Sequence, residues 1–343
     1  MKVSIIGASG KLGQYMVSSL SAIAIVLGSS VPVGGAVPIV DGHNHEGISA
    51  STGKIYTSKL EDLKARGIEA VVMAVPLDRS ETADVEGRIA DEMERLREES
   101  LKEGGFSLGD DPAASMLGVP YTEIQVYFSI EWFGEIFGTD PSRVSRYRDL
   151  GVRIIGLTEE DHDGLFGRDG RSATLTSLGR QVVASMNEAG VLIDITHLTH
   201  EQKLEVIAQS RAPVVASHSL VQAASPYPFN LPDEVLTELA KNGGSVWVSF
   251  NSSDLFGDLP EEKAFDRLVD HIEVLVERLG PQHVGIGTDL QAGGKYVPVA
   301  LNQKDTFAEI RRRLRDRGFE QQTIDGVLGG NVLRALAGPE RRF

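Results

Sequence analysis

Eight histidines and no cysteine set the terms for any chemistry this chain performs. Without thiols there are no disulfides, cysteine nucleophiles or thiolate metal sites. A metal ion would have to be held by His, Asp and Glu. Four of the eight histidines close short β-branched runs, in Asp41-Gly-His43-Asn-His45, Asp194-Ile-Thr-His197 and Ala216-Ser-His218. Two more runs close on carboxylates, in Ser129-Ile-Glu131 and Gly287-Thr-Asp289. His43 and His45 alternate along a strand, so their side chains share a face and suit one ion. His197 and His218, from neighbouring strands, suit a second ion, and a carboxylate can bridge the two. Imidazole and carboxylate donors favour zinc, with iron, manganese and cobalt as other divalent choices. His271 lies in an amphipathic helical stretch and His283 opens a strand, so both read as structural. His200 begins a helix, as a cap or a surface residue. His162 lies in the loop Glu159-Glu-Asp-His162-Asp and faces the same rim as the strand-end cluster.

Such residues converge only if the runs around them form parallel strands of one sheet. Eight candidate strands are Pro38–His43, Glu69–Val75, Ile124–Glu131, Val152–Thr158, Val191–His197, Pro213–His218, Ser245–Phe250 and His283–Asp289. They are nearly continuous apolar runs, as expected when both faces of a sheet are covered. Helical patterns separate them at Ser58–Arg66, Ala83–Glu99, Leu175–Ala189, Glu201–Gln209, Asp233–Lys241 and Glu261–Leu279. Thr199 is placed to cap the helix near Glu201, and Gly190 and Gly280 follow helix ends. Eight βα units in about 300 residues predict an α/β fold, a (β/α)8 TIM-like barrel, with its active site at the C-terminal strand ends. A doubly wound open sheet is the alternative. The stretch 103–112 breaks the rhythm and reads as a loop inserted between the second and third strands. The charge run Arg311-Arg-Arg-Leu-Arg-Asp-Arg317 reads as a solvated helix face.

Composition narrows the partners. Lys and Arg total 34 against 49 Asp and Glu, a formal charge of −15. That sign argues against nucleic acid and against docking on anionic lipid. No run approaches the roughly 18 apolar residues of a membrane span. Residues 1–36 are expected to be a short N-terminal strand–turn–helix appendage to a barrel at 37–343. Its Gly7-Ala-Ser-Gly10-Lys-Leu-Gly13 resembles the opening of a nicotinamide-binding Rossmann domain. The acidic residue expected after the second strand is replaced by Gly28-Ser29-Ser30, and one βαβ unit does not make a dinucleotide domain. A weak signal segment is a second reading of the same residues. The expected compartment is the cytoplasm, or the periplasm or exterior under the signal-segment reading.

From Val37 to Leu336 the chain resembles the membrane (renal) dipeptidase family of zinc peptidases. The likeness is carried by Val40-Asp-Gly-His-Asn44, Val191-Leu-Ile-Asp-Ile-Thr-His197, Val214-Val-Ala-Ser-His-Ser219, His283-Val-Gly-Ile-Gly-Thr-Asp289 and Gly329-Gly-Asn-Val-Leu-Arg334, in that order. The resemblance implies that His43 is a ligand of the first metal and that Glu131 bridges. It makes His197 and His218 ligands of the second metal, and Asp289 the acid/base. The family usually has aspartate where this chain has His45, which gives the His-x-His of the wider amidohydrolases. Three departures touch recognition. A histidine expected after Leu157-Thr is Glu159, for which His162 could substitute. An arginine that holds the dipeptide carboxylate is Phe229, in Pro228-Phe-Asn-Leu-Pro-Asp233. An acidic residue after the Asp289 motif is Gln291.

The implied activity is hydrolysis of a dipeptide amide by a bridging hydroxide on two zinc ions, with a homodimer as the implied assembly. Because a phenyl ring cannot pair with a carboxylate, a non-dipeptide amide, an ester or a lactone is the alternative substrate. A nicotinamide-dependent oxidoreductase and an inactive barrel are the remaining alternatives.

Overall fold

The structure is a computed structural model of the 343-residue chain. It describes residues 37–46, 56–75, 105–109, 122–131, 140–157, 164–167, 173–256, 263–291 and 296–338. It also describes positions 87, 90, 91, 94, 95, 98 and 112. The expected appendage at 1–36 lies outside the described residues.

The strands are β1 (Val40–Asn44), β2 (Ala70–Val75), β3 (Phe106–Leu108), β4 (Ile124–Ile130), β5 (Val152–Gly156), β6 (Leu192–Asp194), β7 (Val215–Ser219), β8 (Ser245–Val248) and β9 (Val284–Ile286). All pairings are parallel, in the order β1-β2-β4-β5-β6-β7-β8-β9. The sheet returns on itself just past β9. The His45 N–H donates to the Leu290 carbonyl at 2.8 Å and the Asp289 N–H to the His43 carbonyl at 3.0 Å. Eight strands therefore close a barrel, and an open doubly wound sheet is excluded. The stretch expected to be an inserted loop contains β3, which pairs with the start of β4. It covers the part of that edge that β5, starting opposite Phe128, leaves free.

Helices cover the outside where the periodicity placed them, at Thr57–Ala65, Ser177–Ala189, His200–Gln209, Asp233–Asn242 and Ala264–Leu279. In the expected helix 83–99, the six described positions are helical. Thr199 caps its helix through a reciprocal capping box with Gln202. Gly190 ends its helix at φ 66°, a conformation without steric cost only for glycine. His271 is fully buried and its Nδ1 accepts from the Val221 N–H at 3.1 Å. Burial, then Arg267, pushes its pKa down to about 3, so it is a neutral structural group. The arginine run lies on and just past helix Thr306–Asp316, and four of its five arginines are ion-paired. Arg311 pairs with Asp325, Arg312 with Glu309 and Asp316, Arg313 with Glu309 and Asp266, and Arg317 with Asp270 and Glu273.

The core has two shells. One lies between strands and helices. The other fills the barrel, with Val40, Val72, Tyr127, Ile154, Val215 and Trp247. Trp247 sits across the axis and needs two glycines. A Cβ at Gly42 would lie 2.4 Å from its ring, and one at Gly285 would lie 2.7 Å away. Val332, Leu333 and Leu336 of the C-terminal helix Asn331–Ala337 join this inner shell. Gly329 lets that segment approach the start of β1, where a Cβ would meet the Pro38 carbonyl oxygen at 2.1 Å. Asn331 Nδ2 donates to the carbonyls of Pro281 and Val284, each at 2.7 Å. The Gly-Gly-Asn-Val-Leu motif thus plugs the N-terminal end of the barrel and leaves the other end for chemistry.

Close packing above the plug is equally tight at Gly287, where a Cβ would lie 1.9 Å from the Ser217 carbonyl oxygen. Because that neighbour is backbone, Gly287→Ala is expected to cost about 1–3 kcal/mol in urea denaturation. Unchanged stability would contradict the close approach of β9 to β7.

Candidate metal centre

Strict strand alternation would point His43 away from the barrel. Val40 belongs to the inner shell and Gly42 faces Trp247, so Asp41 and His43 would both point outward. A register shift in β1 changes this. Asp41 pairs with Val71 and Asn44 with Met73, so three steps on β1 oppose two on β2. This bulge turns His43 inward, and His45 follows. The same device recurs in β7, where Ala216 pairs with Val246 and Ser219 with Val248. Ser217 and His218, adjacent in sequence, are thereby both turned to the interior. Glu131 directly follows β4, and on that strand Tyr127 already points into the inner shell.

Expectation and structure differ at two strand ends. The fifth candidate strand was expected to reach His197, but β6 stops at Asp194. The Asp194 carboxylate accepts from the Thr196 N–H at 3.0 Å and its hydroxyl at 2.7 Å, which diverts the backbone into a turn. His197 projects from that turn. Likewise β9 stops at Ile286, and Asp289 lies beyond it at φ 57°. This left-handed conformation is uncommon for a residue other than glycine. A buried carboxylate secures it. Asp41 accepts from the Thr288 N–H at 2.9 Å, the Thr288 hydroxyl at 2.6 Å, and Asn44 Nδ2 at 2.8 Å.

Glu131 is the hub of the site. Its Oε2 lies 3.2 Å from His45 Nε2. Its Oε1 lies 3.1 Å from His43 Nε2, 3.2 Å from His197 Nε2 and 3.6 Å from His218 Nε2. The Nε2 atoms of His43 and His45 are 3.1 Å apart, as are those of His197 and His218. Asp289 Oδ1 lies 3.6 Å from His45 Nε2. Donors about 2.05 Å from a tetrahedral ion are separated by about 3.3 Å. The donor set therefore has metal-ligand spacing, with His43, His45 and Asp289 in one cluster and Glu131, His197 and His218 in another.

The proton positions favour the same reading. Ser217 Oγ donates to Asp194 Oδ2, so its lone pairs face His218 Nδ1 at 2.8 Å and His43 Nδ1 at 3.4 Å. Those Nδ1 atoms then carry protons, and the opposite Nε2 atoms face Glu131. Burial, then the neighbouring His43 and His197, hold His218 well below the usual imidazole range. Burial alone would raise Glu131, but His43 and the imidazole hydrogen bonds hold it far below. Burial would lower His43 too, yet the Glu131 carboxylate lifts it to about 9. The ionised Glu131 is in its ligating form, and a metal would displace the proton that Glu131 holds on His43. Burial raises Asp289, against the pull of His43 and His45, and it remains at the edge of the cleft.

The cleft holds about 650 Å³. His197, His218 and Asp289 lie at its base, and His200, Phe229 and Asn251 line its walls. His200, expected as a cap or a surface residue, is therefore a cleft residue. Burial, then the charge of Lys203, lowers its pKa. Phe229 stands at the rim, 76% exposed, with its ring 5.7 Å from that of Tyr227. Glu159 and His162 lie outside the described residues.

The membrane dipeptidase (peptidase family M19) profile matches residues 33–341. The chain belongs to this family. It is 31% identical over 239 residues to dipeptidase aclJ of Aspergillus oryzae, covering 67% of this chain and 56% of that one. To dipeptidase verJ of Clonostachys rogersoniana it is 32% identical over 192 residues, 54% and 48% of the two chains. The match thus spans about half the length of these curated relatives. Among solved structures, the family M19 dipeptidase AC is similar at a TM-score of 0.71 and 23% identity, over 88% of this chain and 98% of that one. A Rhodobacter sphaeroides metallopeptidase, liganded with a phosphinate mimic of L-Ala-D-Ala, gives 0.70 and 21%, over 90% and 100%. These structural likenesses confirm the barrel.

His45, where the resemblance led to an expectation of aspartate, is brought beside His43, with the two Nε2 atoms 3.1 Å apart. The supporting residues Asp194, Thr196 and Ser217 were not singled out from sequence. Their only signal was a polar residue inside an apolar strand run. Asp194 fixes both the His197 turn and, through Ser217, the tautomers of His43 and His218. Asp194→Asn is expected to weaken zinc binding by about 10–100-fold, read by competition with a chromophoric chelator. Unchanged affinity would show that the imidazoles are held by other contacts.

Proposed function

We propose that this chain is a metal-dependent hydrolase that cleaves the amide bond of a dipeptide or a closely related small molecule, using two zinc ions. The observation that carries the reading is the Glu131 carboxylate, with one oxygen on His45 and the other shared by His43 and His197. Family membership supports the same class of reaction. His43, His45 and Glu131 would hold one ion, and Glu131, His197 and His218 the other. Cations held there would lower the pKa of a water toward neutrality and would polarise the scissile carbonyl.

The protein's own groups do the rest. Asp289 is 11% exposed, lies 3.6 Å from His45 Nε2 and opens onto the cleft. A carboxyl raised by burial is suited to accept the water's proton and return it to the leaving amine. Asp289→Asn is expected to lower kcat by about 10²–10⁴-fold with zinc content unchanged. A variant that keeps both metals and wild-type turnover would refute the acid/base role.

Recognition is the less family-like half of the site. No arginine is among the described residues lining the cleft, and Phe229 stands at its rim. This favours a substrate that is less anionic or more apolar at that end, including an ester or a lactone. A screen of L,L- and L,D-dipeptides, N-acyl amino acids and lactones, with and without zinc, separates these classes. Phe229→Arg is expected to raise kcat/KM for dipeptides with a free carboxylate by about 10–100-fold, the worth of a charge-assisted hydrogen bond. The same variant should leave neutral esters unaffected. An equal effect on both would dissociate this position from carboxylate recognition.

A further inference from the structure

The His197 turn has one support that the chemistry above does not use. Lys203 lies on helix His200–Gln209, is 2% exposed, and its side chain runs beneath the turn. Its Nζ donates to the Thr196 carbonyl at 2.9 Å and to the Leu198 carbonyl. These two carbonyls bracket His197. Because β6 ends at Asp194, no ladder hydrogen bond of that strand holds His197 in place. The turn is secured from one side by Asp194, through the Thr196 N–H and hydroxyl, and from the other by the Lys203 ammonium. Asp194 also attracts the Lys203 charge, while burial lowers the lysine's pKa to about 8. A lysine kept this deep is costly unless its donors are used. Here both identified partners belong to a single three-residue segment.

His43, His45 and Glu131 receive no hydrogen bond from Lys203 among the described contacts. We propose that Lys203 is a positioning residue for His197, and that it sets the affinity of the His197–His218 metal position selectively over that of His43–His45. The inference rests on the two-metal reading of Glu131. Removing the ammonium frees two carbonyls and lets His197 rotate out of reach, while the other pair of imidazoles stays where the β1 bulge puts it.

The test is zinc titration of the full chain by calorimetry, with metal content measured after dialysis, on wild type, Lys203→Gln and Lys203→Arg. Wild type is expected to retain two zinc ions per chain. Lys203→Gln should retain one, bind the second about 10–100-fold more weakly, and recover hydrolysis at high zinc. Lys203→Arg, which keeps the charge and multiple donors, should restore tight binding of the second ion. Two tightly held ions in Lys203→Gln would overturn the proposal. So would equal weakening of both ions, or failure of both variants to fold, because either would make Lys203 a general support of the barrel. A wild-type chain that binds fewer than two ions would instead overturn the two-metal reading itself.

Discussion

A carboxylate buried among four imidazoles is unstable unless its charge is answered, and the upper half of this barrel is organised around that requirement. Glu131 is almost fully enclosed, with imidazole nitrogens within 3.1–3.6 Å of its two oxygens. In the proposed reading, bound cations would answer that charge and turn the convergence into coordination. The structure must keep the donors converged, and most of the polar groups beneath the cleft serve that end. Ser217 and Asp194 orient His43 and His218 from behind. Asp194 also builds the turn that carries His197. Asp41 ties β1 to the Thr288–Asp289 segment and so places the proposed acid/base beside His45.

The barrel accommodates these groups by departing from regular geometry at the places where they sit. Two bulges, in β1 and β7, break the alternation of side chains. They let apolar residues fill the lower barrel while polar residues a step or two later also face inward. Two strands stop early, so that His197 comes from a turn and Asp289 from the segment just past β9. The opposite end has none of this. There Trp247 packs against two glycines and the C-terminal helix seals the strands with apolar side chains and two asparagine hydrogen bonds. One end supplies packing, and the other uses that rigidity to hold an electrostatically strained cluster.

Much of this was legible in the chain. The eight barrel strands and five of the covering helices follow the hydrophobic periodicity, because parallel strands covered on both faces leave continuous apolar runs. The convergence of His43, His45, Glu131, His197, His218 and Asp289 was legible because barrel chemistry gathers at strand ends. β3 was missed because three residues among glycines and aspartates carry no periodic signal. His200 begins its helix as expected, but its place in the cleft was not legible because it depends on the segment around Phe229, far away in sequence. Lys203 gave no sign of being buried, since a lysine on a polar helix turn is ordinarily solvated.

The amino-acid sequence by itself determined the barrel, the absence of thiolate chemistry and the set of residues able to hold metal. Each depends on composition, periodicity or local spacing. Only the tertiary structure decided which way those residues point. Register is set by pairing with a neighbouring strand, and one extra residue in that pairing reverses every side chain beyond it. The β1 and β7 bulges are such shifts. Without them His43 and His218 would face the helices, and Glu131 would stand in the barrel without its partners.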